Sequence, residues 1–96
     1  MNKYELCVVI SAKIEDDARA EVLEKVKDYV VRAGGQISDI DEWGKKQLAY
    51  EIQKMTEGYY YFIHFEAEPT APALIESRIR IVDDVLRFLC VTQDEA

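Results

Sequence analysis

"YELCVVISAKIEDDARAEVLEKVKDYVVRAGG", residues 4–35, changes its hydrophobic period half-way along, and that change decides the fold. Tyr4, Leu6, Val8 and Ile10 alternate with Glu5, Cys7 and Val9, the period-2 pattern of a strand. Since Cys7 and Val9 are apolar too, both faces of this strand are expected to be at least half covered. From about Asp16 to Ala33 the spacing becomes helical, with Ala18, Val22, Val26, Val30 and Ala33 on one stripe flanked by Leu23 and Tyr29. Glu15, Asp16 and Asp17 place negative charge at the helix N-terminus, and Gly34-Gly35 can supply a left-handed stop.

Further along, "QISDIDEWGKKQLAYEIQK" (36–54) is polar-rich, with Ile37, Ile40, Trp43, Leu48, Tyr50 and Ile52 breaking strict alternation. It reads as a long irregular strand with a bulge or bend at Gly44. "MTEG" (55–58) reads as a turn with Gly58 at positive φ, and "YYYFIHFEAE" (59–68) as an aromatic-rich strand. Thr70 is placed to cap a second helix, with Pro72 in its first turn and its end near Ile79. "VLRFLCV" (85–91) closes the pattern as a strand.

The order is βαββαβ. Right-handed crossovers then predict an α+β, ferredoxin-like sandwich of one domain over residues 1–96, with two helices on one face of a four-stranded antiparallel sheet. Parity puts Leu6, Val8, Ile10, Tyr59, Tyr61, Ile63, Phe65, Phe88 and Cys90 toward the helices. The open face receives Cys7, Val9, Tyr60, Phe62, His64, Arg87, Leu89 and Val91, more apolar surface than a monomer leaves wet without a reason.

The 96 residues suit one domain able to bury roughly 60–65% of its unfolded surface. Nineteen acidic against twelve basic residues give a net charge of -7, which repels nucleic acid at long range. Any RNA contact must therefore come from a local basic patch or a basic partner. No run reaches the roughly 18–20 apolar residues of a membrane span. Two separated cysteines, Cys7 and Cys90, on opposite sheet faces argue for reduced thiols and a cytosolic setting.

Catalytic chemistry has little to stand on. His64 is the only histidine, mid-strand and without a neighbouring serine or cysteine, and reads as a strand histidine satisfied by a neighbour. Two cysteines and one histidine match no zinc spacing. Asp39, Asp41 and Glu42 read as solvated acids, and Gly34-Gly35 lacks the Lys-Ser/Thr of a phosphate loop. "EGYYYFIH" matches the RNA-recognition-motif signature poorly, with Glu57 where a base belongs and Tyr60 where a small residue belongs.

"EWGKKQLAYEI" (42–52) is more specific. With Tyr4-Glu5 before an apolar run, the glycine stop, Gly58-Tyr59 and "RIVDDVLRFLCV", it closely resembles the bacterial small-subunit ribosomal protein S-six family over almost the whole chain. The resemblance implies a βαββαβ structural protein, not an enzyme, with no cofactor, metal or small-molecule substrate. It implies binding to small-subunit ribosomal RNA together with a small basic ribosomal protein, S-eighteen. Lys3, Lys45, Lys46, Arg80 and Arg87 fall at the family's basic positions and are the expected RNA contacts. Asn2 and Thr92 depart from positions that are often basic. Trp43 and Tyr50 either cap the core edge or meet the protein partner, and Tyr60, Phe62 and Leu89 on the open face complete the expected partner surface. Two alternatives are a ferredoxin-like regulatory domain that binds a small molecule, for which no pocket is marked in the sequence, and a small ferredoxin-like enzyme, for which the sequence offers no convincing acid-base pair.

Overall fold

The alternating N-terminal run forms β1 (Asn2–Ser11), and the helical stripe beyond it forms α1 (Asp16–Arg32). They are followed by β2 (Gln36–Ile52), β3 (Met55–Ala67), α2 (Ala71–Ile79) and β4 (Val85–Thr92). The computed structural model describes residues 2–52 and 55–92, with side chains described except at 48–52, 55 and 56. All strand pairs are antiparallel, in the order β2-β3-β1-β4, so β2 and β4 are the sheet edges. Both helices cover one face. No described helix is long and apolar enough to cross a membrane.

Val22, Val26 and Val30 of α1 are buried at helical spacing. They pack with Ile75 and Ile79 of α2 and with Leu6, Val8, Ile10, Tyr61, Ile63 and Phe65 of the sheet. Each fully buried valine contributes roughly 1.5–3 kcal/mol relative to leaving it in water. The face assignment read from parity holds for these residues, with Tyr59, Phe88 and Cys90 packed at the core margin. Cys7 and Cys90 are free thiols. Cys7 lies opposite Leu89 while Leu6 lies opposite Cys90, so the two thiols occupy opposite faces as expected. Burial pushes the Cys90 thiol up to about 11 and raises Cys7 as well.

Helix α1 stops where the glycines allow it. Gly34 takes φ +90°, and the Gly34 and Gly35 amides donate to the carbonyls of Val31 and Val30. A Cβ on Gly35 would lie 2.8 Å from Val30 Cγ1 and 3.2 Å from Phe65 Cδ2. Glycine here therefore lets the helix end close against the sheet.

Two local expectations are corrected. "MTEG" is strand, not turn: Met55 pairs with Ile52, Glu57 with Gln47, and buried Gly58 with Lys46 and Ser11. Gly34 and Gly44 take positive φ. Cross-strand pairing extends the hairpin and overrides the local turn preference of Thr-Glu-Gly. Thr70 precedes α2 but makes no side-chain cap, because its backbone is already helical and the Ala71 amide donates to Glu68 O instead. Pro72 does occupy the first turn. Val9 keeps its open-face parity and is only 3% exposed, flanked in its row by Tyr60 and Arg87, in keeping with a strand covered on both faces.

Candidate partner and nucleic-acid face

The open face is organised as rows across the sheet. Nearest the end of β1, Lys46 faces Gly58, which faces Ser11. The next row runs Arg87, Val9, Tyr60, Gly44, and the one after it Leu89, Cys7, Phe62, Asp41. Val91, Glu5, His64 and Asp39 follow, and Lys3, Glu66 and Gln36 form the last.

The irregularity of β2 places its tryptophan. The ladder shifts between Glu42 and Gly44, leaving Trp43 as the extra residue, and Gly44 takes φ +77°. An extra residue beside a left-handed glycine swings the intervening side chain out of strict alternation. Trp43 accordingly lies against Phe62, with ring centroids 4.6 Å apart and planes tilted by 50°. Trp43 remains 56% exposed and Leu89 54%, with Val91 also exposed. The centre of the face is thus an apolar band from Trp43 and Phe62 on one side to Leu89 on the other. Within it, a hollow of about 220 Å³ is lined by Cys7, Val9, Tyr60, Arg87, Phe88 and Leu89. The regulatory-domain reading lacked any such hollow in sequence, but this one is open to the same face and small.

Charge divides along the face. The cations Lys46 and Arg87 lie in the rows near Ser11, whereas Glu5, Asp39, Asp41 and Glu66 lie in the rows from Cys7 back to Lys3. His64 sits among the acids: its Nε2 is 2.8 Å from Glu5 Oε2 and its Nδ1 is 2.9 Å from Asp39 Oδ1. These hydrogen bonds, Asp39 first and Glu5 second, raise its pKa against the opposing effect of burial. Asp39 is therefore bonded to His64 rather than merely solvated. Asp39, Asp41 and His64 bring ligand-type atoms within 4.8 Å of one another. In the present arrangement both ring nitrogens of His64 are engaged by carboxylates.

The five cations singled out in the sequence do not form one patch. Lys45 and Lys46 are exposed on edge strand β2, opposite Tyr59 and Gly58, and their alternation gives them different faces. Arg87 is exposed on the opposite edge strand. Arg80 ends α2, on the connection whose Asp84 carbonyl accepts from the Ser11 amide. These four gather toward the end of the sheet where β1 finishes, whereas Lys3 stands at the other end. Trp43, Tyr60, Phe62 and Leu89 are brought together on the open face. Tyr50 lies on the β2 backbone, but its side chain is outside the described ones. The Glu5–His64–Asp39 row escaped sequence reading. Period-2 parity places Glu5 and His64 on one face, but the shift between Ile37 and Asp39 hides which acid of β2 meets the ring.

Comparison with known proteins bears on the same chain. A sequence model of the family described as ribosomal protein S6 matches residues 3–92. The small ribosomal subunit protein bS6 of Caldanaerobacter subterraneus subsp. tengcongensis is 40% identical over 95 residues, covering 99% of this chain and 100% of that one. The bS6 protein of Clostridium novyi is 37% identical over 95 residues, with coverage of 99% and 100%. The crystal structure of 30S ribosomal protein S6 from Thermotoga maritima superposes with a TM-score of 0.91 at 26% identity, covering 96% of this chain and 87% of that chain. The C-terminal domain of the MgtC protein from Mycobacterium tuberculosis, at TM-score 0.65 and 10% identity, shares the fold alone.

Proposed function

The chain belongs to the ribosomal protein S6 family of the small ribosomal subunit, a family of structural proteins rather than enzymes, and on that premise we propose that it binds small-subunit ribosomal RNA jointly with the small basic ribosomal protein S-eighteen. The observation that carries this reading is the open sheet face, whose exposed apolar band borders a row of carboxylates. A basic protein with apolar anchors is the partner such a face suits. Apolar contact at the centre supplies affinity, and opposite charge at the rim supplies orientation and encounter rate.

Trp43, Phe62, Tyr60 and Leu89 are assigned to the protein partner. Tyr50 is assigned with them on the strength of the family motif alone. Lys45, Lys46, Arg80 and Arg87 are assigned to phosphate, since an RNA strand passing the β1 end of the sheet would meet all four. Because β2 is an edge, Lys45 and Lys46 are both within reach of a polyanion approaching from that side, despite pointing to different faces. Lys3, at the far end, requires a second RNA contact.

Calorimetric titration with purified S-eighteen tests the protein half of the proposal. Trp43→Ala and Leu89→Ala are each expected to weaken binding by about tenfold or more, as central anchors do. Leu74→Ala, equally exposed but on α2, should leave it unchanged. Unchanged binding in both open-face variants would remove the assignment.

A further inference from the structure

We propose that His64 is a proton-dependent tie that joins β1, β3 and β2 across the open face and stabilises the fold only while its ring is doubly protonated. Register builds the tie. Glu5 lies opposite His64, and His64 opposite Asp39, so one side chain from each of three adjacent strands stands in a single row. The two ring nitrogens are 2.8 Å from Glu5 and 2.9 Å from Asp39. An ionised carboxylate only accepts, and neutral imidazole carries only one N–H. Both contacts are hydrogen bonds only in the imidazolium. Loss of one proton leaves a nitrogen lone pair facing a carboxylate oxygen at hydrogen-bond distance, which repels.

A second contact points the same way. The β2 ladder slips between Ile37 and Asp39, and the extra residue, Ser38, donates its hydroxyl to His64 O at 3.1 Å. Both residues of the slip are thus fastened to His64, one through its carbonyl and one through its ring. The tie holds the register of an edge strand where backbone pairing is interrupted.

The charged surroundings favour the proton. From β1 the ring meets Glu5, with Lys3 one row on; from β2, Asp39 and Asp41; and from β3 itself, Glu66 two residues along. β4 adds no charge here, since Val91 and Thr92 are its nearest residues. With the ring neutral, four carboxylates would face one lysine. The His64 side chain is 19% exposed, so water screens part of this field without abolishing it.

The sign of the linkage follows. A folded-state pKa above the unfolded value of about 6.5 gives stabilisation that is complete below that pH and lost as pH rises through the folded value. Between the two values, the unfolding equilibrium constant should rise by up to about tenfold per pH unit.

His64 is the chain's only histidine, so its Cε1–H proton resonance reports one group. Its titration is expected to centre above about 6.5 in the unaltered protein and lower in both Glu5→Gln and Asp39→Asn. Urea unfolding from about pH 5.5 to 8.5 should show stability falling through the same window, with that fall absent in His64→Gln. A midpoint at or below the ordinary value would overturn the proposal, as would an equal fall in His64→Gln. Either carboxylate variant leaving the midpoint unmoved would overturn a tie across three strands. Should His64→Gln not fold, the resonance titrations of the two carboxylate variants decide alone.

Discussion

At Gly44 the backbone takes φ +77°, and nothing lies within 4 Å of where a Cβ would stand. Replacing Gly44 with alanine therefore adds no clash and carries only the conformational penalty of the left-handed region, about 1–2 kcal/mol. What that conformation secures is the outward position of Trp43 and the exposure of the lysine pair after it. Lys45→Ala with Lys46→Ala should leave urea stability within about 0.5 kcal/mol of the unaltered protein, as expected for exposed side chains. It should weaken assembly with ribosomal RNA and partner and reduce the salt dependence by about one to two ion equivalents. Assembly equal to the unaltered protein at every salt concentration would mean that the lysines only solubilise. The pair and its tryptophan stand out in the sequence because "EWGKKQLAYEI" resembles a family motif, and the structure leaves all three exposed. His64 was legible only as a satisfied histidine, since its partners come from strands 59 and 25 residues away.

Among the elements, α1 was the most legible, because its valine stripe, acidic first turn and glycine stop all agree. The strands were legible in kind and face but less so in extent. Local turn chemistry pointed to "MTEG", whereas pairing carries β3 back to Met55, and propensity cannot anticipate how long a ladder stays paired. Register in β2 was hidden for a related reason: the shifts at Ser38 and at Trp43 each add one residue, and one extra residue exchanges the two faces downstream. The junction between α1 and β2 offers a direct check on the packing argument. Gly35→Ala would drive a methyl group into Val30 and Phe65, both of which are fully or nearly fully buried. Its cost in urea unfolding is expected at about 2–3 kcal/mol, in the range of overpacked cores. That exceeds the cost at Gly44, where the space is open. Equal losses at the two glycines would show that the helix end gives way rather than holding its place.

For the molecule as a whole, charge and fold pull in different directions. A net charge of -7 slows the approach of the isolated protein to a polyanion, and the exposed cations at the β1 end of the sheet are too few to reverse that field. On the proposed reading, the acidic rows of the open face would instead attract a basic protein, whose added charge would make the pair attractive to RNA. The central claim is therefore one of joint recognition. It is tested most directly by titrating small-subunit ribosomal RNA with this protein alone and with an equimolar mixture of this protein and S-eighteen, at one fixed salt concentration. The account predicts weak binding by the protein alone and binding at least about a hundredfold tighter by the mixture, in the range of coupled association free energies. Nanomolar binding by the protein alone, or the same affinity with and without the partner, would contradict it.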